Sequence, residues 1–237
     1  MDLTANALLA VGASPIMAHA KEELSELVQM ARAIVINIGT LDEDFVASCR
    51  FALVEAIRYQ RQVILDTVGA GATRFRTKIA QNLLESGGIT AVRGNASEIA
   101  ALLGDTSSTR GVDTTLAAEK VLDIATKRSR EISSGFIISG KIDYVCCNGR
   151  VGTVAHGDPL MTRVTAMGCT ATSLIAAFLA VNSDRLHAAL HAMATMGISG
   201  EIAKRTAQGP GSFRTAFLDS LANLGQSDLT NVRLSLP

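Results

Sequence analysis

Asp66 closes a short apolar run, Val63-Ile64-Leu65-Asp66, and a glycine-rich segment, Thr67-Val68-Gly69-Ala70-Gly71-Ala72-Thr73, follows at once. A second junction joins Ala91-Val92-Arg93 to Gly94-Asn95-Ala96-Ser97-Glu98. A third leads from Val164-Thr165-Ala166-Met167-Gly168-Cys169 into a long apolar helix. Polar or small-residue turns at strand ends and helix starts are what an anionic, metal-bound nucleotide requires. The crevice beyond strand C-termini receives ligands in open α/β sheets, and helix N-termini offer unpaired N–H groups to phosphate. The chemistry this pattern predicts is phosphoryl transfer to a small molecule.

Each of these residues has a structural reading beside the chemical one. Asp66 and Glu98 can hold Mg²⁺ against nucleotide phosphates, directly or through water. Asp66 could equally cap the next element through an Asx turn, and Glu98 could sit in a first helical turn, where the macrodipole is worth roughly 0.3–1 kcal/mol. Arg93 ends a buried strand, so it either pairs with a carboxylate or grips phosphate bidentately. Cys169 stands at a helix N-terminus, a position that lowers a thiol pKa and suits a proton acceptor for an attacking alcohol. Its other reading is a buried small hydrophobe. His187 and His191 lie four apart, but without HExxH or a third ligand they read as a surface pair. Neither GxxxxGK[ST] nor GxGxxG occurs.

The elements that must position these groups follow from apolar periodicity and from Gly, Pro and Asx punctuation. Helices are expected over 4–12, 21–32, 42–61, 75–84, 96–103, 113–130 (capped by Asp113), 169–181, 184–207 and 211–224. Strands are expected over 34–37, 63–66, 90–93 and 136–138. Residues 142–147 and 150–154 flank Asn148-Gly149, a pair suited to a type I′ hairpin turn. Strand–helix alternation argues for right-handed βαβ units and one predominantly parallel sheet with an antiparallel hairpin at its edge. With no Ser/Gly/Pro-rich linker and no repeat, the 237 residues are read as one domain.

Composition agrees. Hydrophobic residues make up 48%, there is no Trp, and aliphatics dominate, as in buried parallel strands. Lys plus Arg equals Asp plus Glu at 22 each, so no long-range field draws a nucleic acid or membrane surface. Cys49, Cys146, Cys147 and Cys169 form no CxxC, and neighbouring Cys146 and Cys147 on a strand would face opposite ways, against a shared metal. A cytoplasmic location is the expectation.

The motifs carry a resemblance. The segment Thr4-Ala5-Asn6-Ala7-Leu8-Leu9-Ala10-Val11-Gly12-Ala13-Ser14-Pro15-Ile16-Met17 resembles the N-terminal motif of the hydroxyethylthiazole kinase family, within the ribokinase-like superfamily. So do Asn37-Ile38-Gly39-Thr40, Leu65 to Ala72, Arg93 to Glu98 and Gly111-Val112-Asp113. Asp158-Pro159-Leu160-Met161-Thr162 and Gly209-Pro210-Gly211-Ser212-Phe213 complete the set, which runs in order to about Leu224. The resemblance implies a three-layer α/β/α fold and ATP- and Mg²⁺-dependent phosphorylation of 4-methyl-5-(2-hydroxyethyl)thiazole in thiamine salvage. It implies metal-organising roles for Asp66 and Glu98, ATP contacts for Arg93, Ser139 and Asn95, and thiazole contacts for Met17, Ala166 and Gly168. Cys169 matches the family's proposed catalytic cysteine. A cytoplasmic homotrimer with sites between subunits is also implied.

Three departures stand out. Ala166-Met167-Gly168-Cys169 replaces the family's Gly-Thr-Gly-Cys; if that first glycine takes positive φ, Ala166 costs on the order of 1 kcal/mol, and if it lets substrate approach its backbone, Ala166 obstructs the pocket. Thr67 replaces a proline and is expected to loosen the loop. The family's N-terminal strand segment is expected to be missing, leaving an unpaired sheet edge. These departures motivate a rival reading, a catalytically impaired homologue that binds thiazole or nucleotide. A kinase of another alcohol, such as a hydroxymethylpyrimidine, is disfavoured by Cys169 and by the Arg93–Glu98 motif.

Overall fold

A computed structural model of the protein describes residues 2–104 and 115–236. After helix α1 (Asp2–Ala10), an extended connection leads through a 3₁₀ turn to α2 (Leu24–Met30). Then alternate β1 (Ala33–Asn37), α3 (Glu43–Arg58), β2 (Gln62–Asp66), α4 (Arg74–Glu85), β3 (Ala91–Asn95) and α5 (Ala96–Leu102). α6 (Thr115–Glu131) precedes β4 (Gly135–Ser139), β5 (Asp143–Cys147) and β6 (Arg150–Val154). A 3₁₀ turn at Pro159–Arg163 introduces α7 (Met167–Leu179), α8 (Arg185–Lys204) and α9 (Pro210–Asn223), and β7 (Leu234–Ser235) ends the described chain. The expected start of α6 at Asp113, and the Gly111-Val112-Asp113 motif, lie outside the described residues.

The seven strands form one sheet in the order β1-β2-β3-β4-β5-β6-β7. β1 to β4 run parallel, and β5, β6 and β7 continue it antiparallel. Asn148 and Gly149 both take positive φ, as the expected turn requires. The hairpin is not the margin of the sheet, however: β7 pairs outside β6. Its two residues are too few to show a period of two. They are held partly by His156, whose Nε2 accepts from the Arg233 N–H at 2.8 Å, and by the Arg233–Glu201 ion pair.

Alternation along each strand divides the sheet between two cores. Ile64, Ala91, Ile137, Val145 and Cys147 face α1, α7, α8 and α9. Ile36, Val63, Leu65, Val92, Phe136, Ile138 and Cys146 face α2 to α6. The result is the expected three-layer α/β/α arrangement, with Cys146 and Cys147 on opposite faces. Residues two positions beyond the first core's apolar strand residues share its face but are polar, the first two at the ends of β1 and β2 and the third midway along β3. These are Asn37, Asp66 and Arg93, and the parallel register sets Asn37 beside Asp66 and Asp66 beside Arg93.

Candidate active site

This row of three polar side chains emerges at the C-terminal edge of the sheet, where apolar packing gives way to the first turn of α7. Asp66 is fully buried. Its Oδ2 accepts from Asn37 Nδ2 at 2.8 Å, while Oδ1 has no hydrogen-bond partner among the described residues and lies 3.9 Å from Arg93 Nη1. Burial pushes the Asp66 carboxyl up to about 6, against the pull of Arg93 and of the Thr172 hydroxyl, with Glu98 adding to the rise. Arg93 donates from Nη2 to Ser139 Oγ at 2.7 Å, and its buried Nε has no partner among the described residues. The guanidinium thus spans three elements: β2 through Asp66, β4 through Ser139, and the start of α7, where a Cβ on Gly168 would come within 2.6 Å of Nη1. The absent side chain at Gly168 makes room for the arginine.

The glycine loop after β2 is held from two sides. Glu98 Oε1 accepts from Gly69 N at 2.8 Å and its Oε2 from Asn95 N at 2.9 Å, while Asn95 Oδ1 accepts from Glu98 N at 2.9 Å. This capping box satisfies first-turn amides of α5 reciprocally. Asn95 and Glu98 therefore do the structural work that Glu98's other reading anticipated, and more, since the same carboxylate anchors the loop. Arg76, which the sequence patterns did not single out, ties the loop to β1: Nη1 donates to Val68 O at 3.1 Å and Nη2 to Gly39 O at 2.8 Å. Gly69 at φ +76° leaves space for that guanidinium. Between this loop and the start of α5 opens a cleft of about 330 Å³, lined by Gly69–Ala72, Asn95, Ser97 and Glu98.

Thr67 does the reverse of loosening the loop. Fully buried, it donates from N to Arg93 O at 3.1 Å and from its hydroxyl to the same carbonyl at 3.2 Å, whereas a proline has no N–H to give. Ala166 does adopt the left-handed conformation, φ 65° and ψ 5°, as the N-cap of α7. Met167 does not crowd the cleft; it is 6% exposed and belongs to the core under α7.

Cys169 is half-buried beside Asp66. Burial first, and the Asp66 carboxylate second, push its thiol above the ordinary range, while the Asn37 side chain and Arg93 pull the other way. The expectation of a thiol pKa lowered by the helix N-terminus is thus corrected: burial and a neighbouring anion raise it. Asp66, Arg93, Ser139, Gly168 and Cys169 come together in one place, and Glu98 and Asn95 border it. Met17 does not join them. It lies in the extended segment after α1, is 44% exposed and belongs to neither core. His187 pairs with Asp184 at 3.0 Å, and no group of three potential metal-ligating side chains forms among the described residues.

A buried Asp–Arg pair, a glycine loop and a helix start converging at the edge of a three-layer sheet define a small-molecule kinase of ribokinase-like architecture. A ribokinase-like superfamily protein from Enterococcus faecalis shares the fold at a TM-score of 0.66 and 15% identity, over 92% of this chain and 80% of its own. The match to one family is far closer. A model of the Hydroxyethylthiazole kinase family matches residues 1–227, and the chain belongs to that family. A hydroxyethylthiazole kinase of Leptospira biflexa is 46% identical over 94% of this chain and 84% of the relative, and one of Nitratidesulfovibrio vulgaris 48% over 98% and 86%. The structure of a hydroxyethylthiazole kinase protein from Pyrococcus horikoshii superposes with a TM-score of 0.90 at 38% identity, covering 100% of this chain and 89% of that one.

Proposed function

We propose that the protein phosphorylates the primary alcohol of 4-methyl-5-(2-hydroxyethyl)thiazole with ATP, as a step of thiamine salvage. The observation that carries this reading is the meeting of Asp66, Arg93 and the Gly168–Cys169 helix start in one place, in a chain whose relatives bear that activity in their names.

Arg93 grips the transferring phosphate, with Ser139 fixing its guanidinium through the 2.7 Å bond. The first-turn amides of α7, behind Ala166 and Gly168, face the charge that develops on the phosphoryl oxygens. The thiolate form of Cys169 accepts the hydroxyl proton as the alcohol oxygen bonds to the γ-phosphorus. The bond from that phosphorus to the β,γ-bridging oxygen breaks, and ADP leaves. Phosphoryl transfer rests mostly on positioning and charge stabilisation, so a base present only as a minor thiolate fraction suffices.

The residues present fit Mg²⁺. Asp66 Oδ1 is a buried acceptor without a partner, and Mg²⁺ characteristically takes one or two carboxylates plus water and substrate phosphates. Asp66 and Glu98 would hold it, and it would neutralise phosphate charge. Asn95 and the 330 Å³ cleft beside it are suited to the nucleotide's phosphates. Exposed Met17 is assigned to the thiazole pocket of an adjoining subunit, in a cytoplasmic homotrimer whose mass light scattering would establish. No helix among the described residues is long and apolar enough to cross a membrane. A coupled assay with ATP, Mg²⁺ and the thiazole alcohol tests the reaction.

A further inference from the structure

Asn37 lies in a motif that the reaction leaves without a role, and its amide is bonded at both ends. Its Oδ1 accepts from Gly39 N at 2.9 Å, so the amide group cannot turn over without losing that bond. The NH₂ end is thereby aimed along the row of strand ends, where it donates to Asp66 Oδ2 at 2.8 Å. The register sets these two residues side by side on β1 and β2, on the face that α7 covers. The consequence lies in the two oxygens of Asp66. Oδ2 is occupied by Asn37, and Oδ1, buried and unpartnered, is left toward Arg93.

We propose that Asn37 is a positioning residue: by holding Oδ2 through an amide locked by Gly39, it sets the rotation of the Asp66 carboxylate so that Oδ1 alone is presented to the metal–nucleotide complex. Without this donor the carboxylate would lose the bond that tells its two oxygens apart, leaving Arg93 and the Thr172 hydroxyl to bias its rotation. Groups that orient a metal-holding carboxylate in this way are worth about 10- to 100-fold in metal affinity or activity when removed. The inference rests on the kinase reading, and its test separates the two.

Mn²⁺ stands in for Mg²⁺ in an electron paramagnetic resonance titration of the protein with ADP, run beside steady-state kinetics. Asn37→Ala is expected to weaken Mn²⁺–ADP binding and to lower kcat, each about 10- to 100-fold, with KM for the thiazole alcohol little changed. Unchanged Mn²⁺ affinity in a folded Asn37→Ala protein would overturn the proposal, as would a failure of the unsubstituted protein to bind Mn²⁺–ADP. Should Asn37→Ala not fold, Asn37→Asp replaces it; this keeps the Gly39 acceptor and the side-chain volume but turns the donor toward Asp66 into an acceptor. A kcat equal to that of the unsubstituted protein in Asn37→Asp would also overturn it. If the unsubstituted protein binds Mn²⁺–ADP yet transfers no phosphate to the thiazole, the kinase reading fails while the titration still decides the role of Asn37.

Discussion

Gly168 and Arg93 are fitted to each other: the guanidinium occupies the space a side chain at position 168 would fill, with Nη1 2.6 Å from the place of its Cβ. The contact joins the start of α7 to the middle of β3 and brings the arginine to the amides of the helix turn. Gly168→Ala is expected to displace Arg93 rather than unfold the protein, because the guanidinium is the far end of a flexible side chain. kcat/KM for ATP should fall about 10- to 100-fold, each tenfold being about 1.4 kcal/mol, with little change in melting temperature. Steady-state kinetics and a thermal melt on the same preparation check both halves.

Ala166 sits at φ 65°, where a Cβ is penalised by roughly 1–2 kcal/mol and glycine is not. Part of that is returned by the greater chain entropy of glycine in the unfolded state, roughly 0.5–1 kcal/mol. Ala166→Gly is therefore expected to raise stability by up to about 1 kcal/mol in urea unfolding, and to preserve the turn that aims α7.

Asp143 is 7% exposed, and burial pushes its carboxyl up from 3.8 to about 6, against the pull of the Gly140 N–H and of Arg93. The folded state thus favours the protonated form. That contribution is complete below pH 3.8, declines as the unfolded chain ionises, and is lost once the pH passes about 6. A difference of this size corresponds to a few kcal/mol, on the order of 3. Asp143→Asn retains an acceptor for Gly140 N, which lies 3.0 Å from Oδ1. It should leave stability at pH 4 nearly unchanged and raise it at pH 8, as urea melts at the two pH values would show.

Burial and Asp66 raise the pKa of the Cys169 thiol, so the thiolate that accepts the proton is its minor form and grows with pH. Cys169→Ala removes the proton acceptor and is expected to lower kcat by about 10²-fold or more, the usual worth of general base catalysis. Cys169→Asp restores a base and should keep or raise activity. A Cys169→Ala enzyme as fast as the unsubstituted one would dismiss the proton-acceptor role.

Much of this arrangement was legible in the sequence because it depends on local pattern. The strand end at Asp66 follows from an apolar run stopped by a polar residue, and Asn148-Gly149 announces its own turn, whereas β3, expected to stop at Arg93, runs on to Asn95. Of the two reasons for the glycine that Ala166 replaces, the structure shows the positive φ. Contacts between distant segments were not legible. Arg76 reaching from α4 to Gly39, Thr67 bonding the Arg93 carbonyl, and Asn37 orienting Asp66 are consequences of register between strands. The sign of the Cys169 shift was misjudged for a related reason: the helix start is visible in sequence, but the burial and the carboxylate beside it are not. β7, at two residues, carries no pattern at all.

The account stands on phosphate transfer at the corner where Asp66, Arg93 and Cys169 meet. Its most direct test is ³¹P NMR of purified protein with ATP, Mg²⁺ and 4-methyl-5-(2-hydroxyethyl)thiazole, with Asp66→Asn in parallel. The expected result is a phosphomonoester signal growing in step with ADP, and its loss in Asp66→Asn. A folded protein that forms no phosphomonoester, or an Asp66→Asn variant that forms it at the unsubstituted rate, would contradict the account.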